Sequence, residues 1–157
     1  MKKFILLLVA IFLVGCQKQS TSIYDEMINN IKESTDYKNK SSYFSVTYYL
    51  TQLNERTYRY DIIIDSPTIE MENIRAVAIT EDEATSIFPS IGYKEGEVYH
   101  MALGEVNKLE NYVKGILLSG DTYCNDGTIK LYVEFTSNNE LYKEYILIDS
   151  EMLENAN

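Results

Sequence analysis

The sequence predicts a mainly β protein: an antiparallel, immunoglobulin-like β-sandwich of about seven strands, preceded by one short N-terminal helix. Three observations carry this. Beyond residue 42, apolar side chains recur at every second position, the spacing of a strand with one buried face. The alternating runs are short and separated by turn residues rather than helices, which argues against parallel βαβ units. The chain also has 14 Tyr, no Trp and 2 Pro, a composition suited to pleated, half-buried surfaces. A small open β-barrel is the alternative closure of the same strands. The antibody hallmarks of a Cys pair around a Trp are missing, so the expectation is one of architecture alone.

The chain opens Met1-Lys2-Lys3, every residue from Phe4 to Val14 is apolar, and Gly15 and Cys16 follow. A basic start, a short apolar run and a small residue before a cut site are the parts of a secretory signal peptide. The run is shorter than the roughly 20 residues a helix needs to cross a bilayer. Leu13-Val14-Gly15-Cys16 resembles the lipobox of bacterial lipoproteins, with an apolar residue at −3, a small one at −1 and the thiol that takes the lipid. The resemblance covers this leader only. It implies that residues 1–15 are removed and that Cys16 carries a diacylglycerol. The rest of the chain is then held on the outer side of the bacterial cell membrane by acyl chains such as palmitate. Each buried methylene contributes about 0.8 kcal/mol, so two chains hold a protein stably where one does not. The expected organisation is a signal peptide (1–15), a lipidated tether with a short helix (16–42), a β-sandwich domain (43–149) and an acidic tail (150–157).

The elements follow in order. Residues 17–22 are a polar tether. Ser22 and Asp25 fit a capping box, and Ile23, Met27 and Ile31 form one face of a helix from Ile23 to about Ser34. Phe44, Val46, Tyr48 and Leu50 alternate with polar residues and Tyr49. After a turn at Asn54-Glu55, Tyr58, Tyr60, Ile62 and Ile64 alternate again, so the two runs predict a hairpin. Asp65-Ser66-Pro67 ends it. Ile74–Ile79 reads as a third strand, residues 80–92 as a loop with Glu81-Asp82-Glu83, Pro89 and Gly92, and Val98–Leu103 as a short strand. Asn111–Ser119 reads as another strand, followed by a loop that ends in Asn125-Asp126-Gly127. Next, Ile129, Leu131, Val133 and Phe135 are expected inward, and Lys130, Tyr132, Glu134 and Thr136 outward. Ser137-Asn138-Asn139 turns the chain into a last strand, Leu141–Ile148.

Composition excludes some functions. The formal net charge is −10, and removing Lys2 and Lys3 with the leader makes the remainder more negative still. A nucleic-acid partner calls for a basic footprint, and none is present. An anionic leaflet would repel the domain. His100 is the only histidine, and Cys124 has no intramolecular partner once Cys16 carries lipid. A His100–Cys124 base–nucleophile couple has no local signature around it. A zinc site needs three or four ligands, so no metal or other cofactor is expected. Asp121 to Gly127 is reminiscent of a calcium loop. However, its sixth position is Asp126 rather than Gly, and Tyr132 stands where a bidentate Glu belongs. Asp61, Glu134 and Glu144 are candidates for a glycosidase-like carboxylate pair, although acids on the outer faces of strands need no such role. Gly104, Gly115 and Gly120 are isolated and form no phosphate-binding loop.

The expected function is therefore a membrane-tethered extracytoplasmic lipoprotein acting as a non-catalytic protein-binding or accessory module. Its expected attachments are the membrane, through lipid on Cys16, and another extracytoplasmic protein. One alternative is a small-ligand binder with Tyr93 and Tyr99 lining a pocket. Another is a small hydrolase centred on Cys124 or on a carboxylate pair.

Overall fold

The computed structural model describes residues 22–81, 87–123 and 128–149. The leader, Cys16, most of the tether, the Asp82-Glu83 pair, Cys124 with Asn125-Asp126-Gly127, and the acidic tail lie outside the described residues.

Helix α1 (Ile23–Glu33) starts where the capping box predicts. Ser22 Oγ accepts the Asp25 N–H at 3.1 Å and donates to the Asp25 carboxylate at 2.6 Å. Asp25 and Glu26 sit in the first turn and Lys32 in the last, matching the helix dipole. Met27 and Ile31, one turn apart, are buried.

Among the described residues seven strands follow: β1 (Ser45–Gln52), β2 (Tyr58–Asp65), β3 (Glu72–Thr80), β4 (Ser90–Ile91), β5 (Gly115–Thr122), β6 (Ile129–Ser137) and β7 (Glu140–Ile148). They form two antiparallel sheets, ordered β1-β2-β5 and β4-β3-β6-β7. No ladder joins the two sheets among the described residues, so the barrel alternative is not formed. The predicted hairpin holds register from Ser45↔Asp65 to Gln52↔Tyr58. Its turn is fastened by Asn54 Oδ1, which accepts the Arg56 and Thr57 N–H groups at 3.0 and 2.9 Å. The β6–β7 turn uses Asn138 and Asn139 with φ of 51° and 64°. Asparagine tolerates this left-handed backbone, which two-residue hairpins favour.

Alternation in each strand builds one core between the sheets. Tyr60, Ile62 and Ile64 of β2 and Ile116 and Leu118 of β5 face Ile74, Ala76 and Ala78 of β3, Leu131, Val133 and Phe135 of β6, and Ile146 of β7. A second cluster lies on the other face of the four-stranded sheet, where Met27 and Ile31 of α1 cover Val77, Ile79 and Tyr132.

The helix corrects one expectation. Tyr132 and Glu134 do face away from the main core, but both are buried, because α1 and neighbouring side chains cover that face. A second correction concerns the fourth strand. Val98–Leu103 makes only isolated bridges, Met71↔Met101 and His100↔Tyr112. Tyr99 and Met101 alternate because both pack on the core, not because a ladder forms. The fourth strand is instead Ser90–Ile91, between Pro89 and Gly92, paired with Val77 and Ala76 of β3. The predicted Asn111–Ser119 strand is shifted. Asn111 and Val113 bond to His100, so β5 starts at Gly115 and runs on through Gly120 to Thr122. Gly120 fits there because the Tyr60 ring occupies the space a side chain would need.

Candidate functional site

The two sheets differ in what covers their outer faces. The four-stranded sheet carries α1, while the three-stranded sheet is open among the described residues. The register sets its outward side chains in rows across the strands: Thr47-Ile63-Leu117, Tyr49-Asp61-Ser119 and Thr51-Arg59-Asp121. Tyr49 is 52% exposed and Leu117 55%. Beside these apolar groups, Asp61 Oδ1 accepts Arg59 Nε at 3.1 Å and Nη2 at 3.0 Å, and the Ser119 hydroxyl also donates to it. The Ser119 bond, with Arg59 beside it, holds the Asp61 carboxyl below its ordinary value. The sign of the linkage follows. Asp61 contributes stability that is complete above the ordinary carboxylate value and is lost as the pH falls through its lowered one. Replacing it by Asn should therefore cost stability at neutral pH, and the gap from the unaltered protein should close below about pH 4. Urea unfolding of both proteins from pH 7 to pH 3 measures this, and a gap constant over that range would contradict it.

A groove continues from one end of this face. One recess of about 460 Å³ is walled by Asp65-Ser66-Pro67, Ala102–Val106 and Lys114. A second of about 300 Å³ shares Asp65 and Lys114 and reaches Ile63 and Leu117. Leu103, on the wall of the larger recess, is 81% exposed, and Leu109, further along the chain, 96%. Gly104 and Asn111 of the loop carrying Leu103, and Ser66 on the facing wall, have left-handed backbone.

The predicted site residues fall elsewhere. Cys16 and Cys124 lie outside the described residues, and so does the Asn125-Asp126-Gly127 half of the acidic loop. Asp121 is an exposed outward residue of β5. His100 serves the backbone: its Nδ1 accepts the Asn73 N–H at 3.3 Å, where a register shift bulges β3 and Asn73 has φ of 52°. The His100 ring stacks on Tyr112, centroids 5.2 Å apart. The Tyr112 hydroxyl donates to Glu70, and that bond pushes its pKa up to about 12.

The three candidate carboxylates face three different sides. Asp61 is on the open sheet. Glu134 faces the helix side of β6, where Arg75 and Lys143 approach at 3.0 and 3.6 Å and the Tyr132 hydroxyl donates at 2.7 Å. Glu144 shares the core-facing side of β7 with Ile146, and Lys38 donates to its Oε1 at 3.1 Å. Its Oε2 is buried without a hydrogen-bond partner. No two of them are set across a common cleft. Tyr93 and Tyr99 also separate: Tyr93 packs against the helix cluster and Tyr99 against the main core. Among the described residues no group of three His, Cys, Asp or Glu converges as metal ligands would. No described helix is long and apolar enough to cross a membrane.

No family model, curated protein or solved structure matches the chain.

Proposed function

We propose that the protein is a lipoprotein anchored through Cys16 on the outer side of the bacterial cell membrane. Its domain acts there as a non-catalytic protein-binding or accessory module. The observation that carries the binding reading is the open face of the three-stranded sheet. Tyr49 and Leu117 lie exposed there beside half-buried Ile63, and the recess at Ile63 and Leu117 adjoins the one under Leu103 through Asp65 and Lys114. Buried Glu134 and half-buried His100 support the same reading, because they are engaged in holding strands and a bulge together.

The strand order supports the immunoglobulin-like form of the sandwich. Taking β1, β2 and β5 as strands A, B and E sets them against β3, β6 and β7 as C, F and G, with β4 as an added strand beside β3. In such a sandwich, loops and sheet edges present the contacts and the core only holds them in place.

The test is affinity capture from chemically crosslinked membranes that carry the tagged full-length protein. The reading predicts that the same extracytoplasmic protein is recovered in repeated captures. Repeated recovery of no protein partner would count decisively against it.

A further inference from the structure

We infer that the free edge of β1 is the docking line, and that it takes an extended segment of another protein as an added antiparallel strand. The inference rests on the protein-binding reading above and names the surface and the kind of partner.

The other edges are shielded or weakened. Lys38 pairs with β7, its N–H bonded to Tyr145 O and its carbonyl to Leu147 N–H, both at 2.9 Å. Beyond β4, the edge of β3 is closed by Ile74 N–H to Tyr99 O at 2.9 Å and by the mutual Met71–Met101 bonds at 2.8 Å. β5 carries Gly115, Gly120 and Asp121, which make it a poor template. β1 has none of these devices. Its eight residues, SVTYYLTQ, hold no charge and no Pro, and their register with β2 is unbroken. Natural proteins blunt such edges unless something pairs with them.

The phase of the ladder shows which groups are on offer. Leu53 N–H bonds to Thr57 O at 2.9 Å in the same register as the hairpin. Hydrogen-bonded pairs alternate in an antiparallel ladder. Ser45, Thr47, Tyr49 and Thr51 therefore turn their backbone groups to β2, and Val46, Tyr48, Leu50 and Gln52 turn theirs outward. No bond from another segment meets them among the described residues. Val46, Tyr48 and Leu50 are also only partly buried at this edge of the core. A recess of about 250 Å³ opens beside Ser45 and Val46, walled otherwise by Asn39–Ser41 and Phe44, with no residue of β2 in it.

These features define the occupant. Side chains opposite Val46, Tyr48 and Leu50 face the core and must be apolar. The alternate side chains join the outer face, whose strand residues include Asp61, Asp65 and Asp121 against Arg59 alone. Basic residues suit those positions. A second copy of this chain brings a formal net charge of −10 to another −10, which opposes self-pairing.

The test titrates the full-length protein, in detergent, with a fluorescent octapeptide of alternating Lys and Val. The valines are the residues that would bond to β1, so N-methylvaline in their place removes the donors and spares the side chains. The Lys–Val peptide should bind, and the N-methylated and Glu–Val peptides at least about tenfold more weakly. Tyr49→Lys should weaken the Lys–Val peptide by a similar factor, and Tyr49→Glu should not. Equal binding of the methylated peptide, or no binding of the Lys–Val peptide, overturns the proposal. A dimer in sedimentation that Tyr49→Lys dissociates assigns the edge to a second copy and also overturns it. Membrane capture with Tyr49→Lys separates the two readings. A partner lost only with this variant supports the edge. A partner retained overturns the edge and leaves the protein-binding reading standing. No partner even with the unaltered protein counts against both.

Discussion

Phe135→Ala is expected to cost about 3–5 kcal/mol of stability. Phe135 is fully buried on the core face of β6. Its ring meets Tyr142 stacked at 5.1 Å, Tyr43 edge-on at 5.8 Å and Phe44 edge-on at 6.3 Å. The four aromatic rings tie the segment entering β1 to the end of β6 and the start of β7, so the cavity left by Ala opens between the two sheets. Neighbouring rings cannot collapse into it without leaving their own strands. The whole domain is at stake because a folded domain has only about 5–15 kcal/mol in hand. Phe135→Leu keeps most of the volume and should cost far less. Denaturant unfolding measures both, and a loss below about 1 kcal/mol for Ala would show that the sheets do not share this core.

Gly92→Ala should be nearly as damaging, by about 3 kcal/mol or more, for two reasons that add. Gly92 has φ of +72°, which disfavours any side chain. A Cβ there would also lie 2.4 Å from the Ile74 carbonyl oxygen and about 3.1 Å from Arg75 Cα, which are backbone atoms of β3 that cannot step aside. Gly96 isolates the first reason, since its φ is +79° but nothing lies within 4 Å of a Cβ. Gly96→Ala should therefore cost only about 1–2 kcal/mol. Thermal unfolding of the two variants side by side measures the difference. Equal losses would mean that the close approach of β4 to β3 contributes nothing.

What the sequence reveals about this fold follows from which forces are local. The capping box at Ser22 and Asp25, the β1–β2 hairpin and the alternation of β6 are set by neighbours in the chain, and each stands where the pattern puts it. The fourth strand was illegible because two residues give no period, and Val98–Leu103 alternates for burial without a ladder. Burial of Tyr132 and Glu134 depends on where α1 docks, and the alternation of β6 contains no sign of that. The site was less legible than the fold. His100 was visible as a lone titratable group, but its partner, the Asn73 N–H, exists only because β3 bulges there. Leu103 and Leu109 look like core residues in a sequence, and only the loop's path leaves them exposed. The open edge of β1 depends on sheet order, a property of the whole chain.

The reading as a tethered binding module rests first on Cys16. The direct measurement compares the full-length protein with Cys16→Ser in the native cell, by membrane fractionation and labelling with radioactive palmitate. The account predicts that the unaltered protein is labelled and stays with the membrane. The variant should be unlabelled and soluble, with an unchanged unfolding transition. A Cys16→Ser protein that remains membrane-bound and takes up palmitate would contradict it.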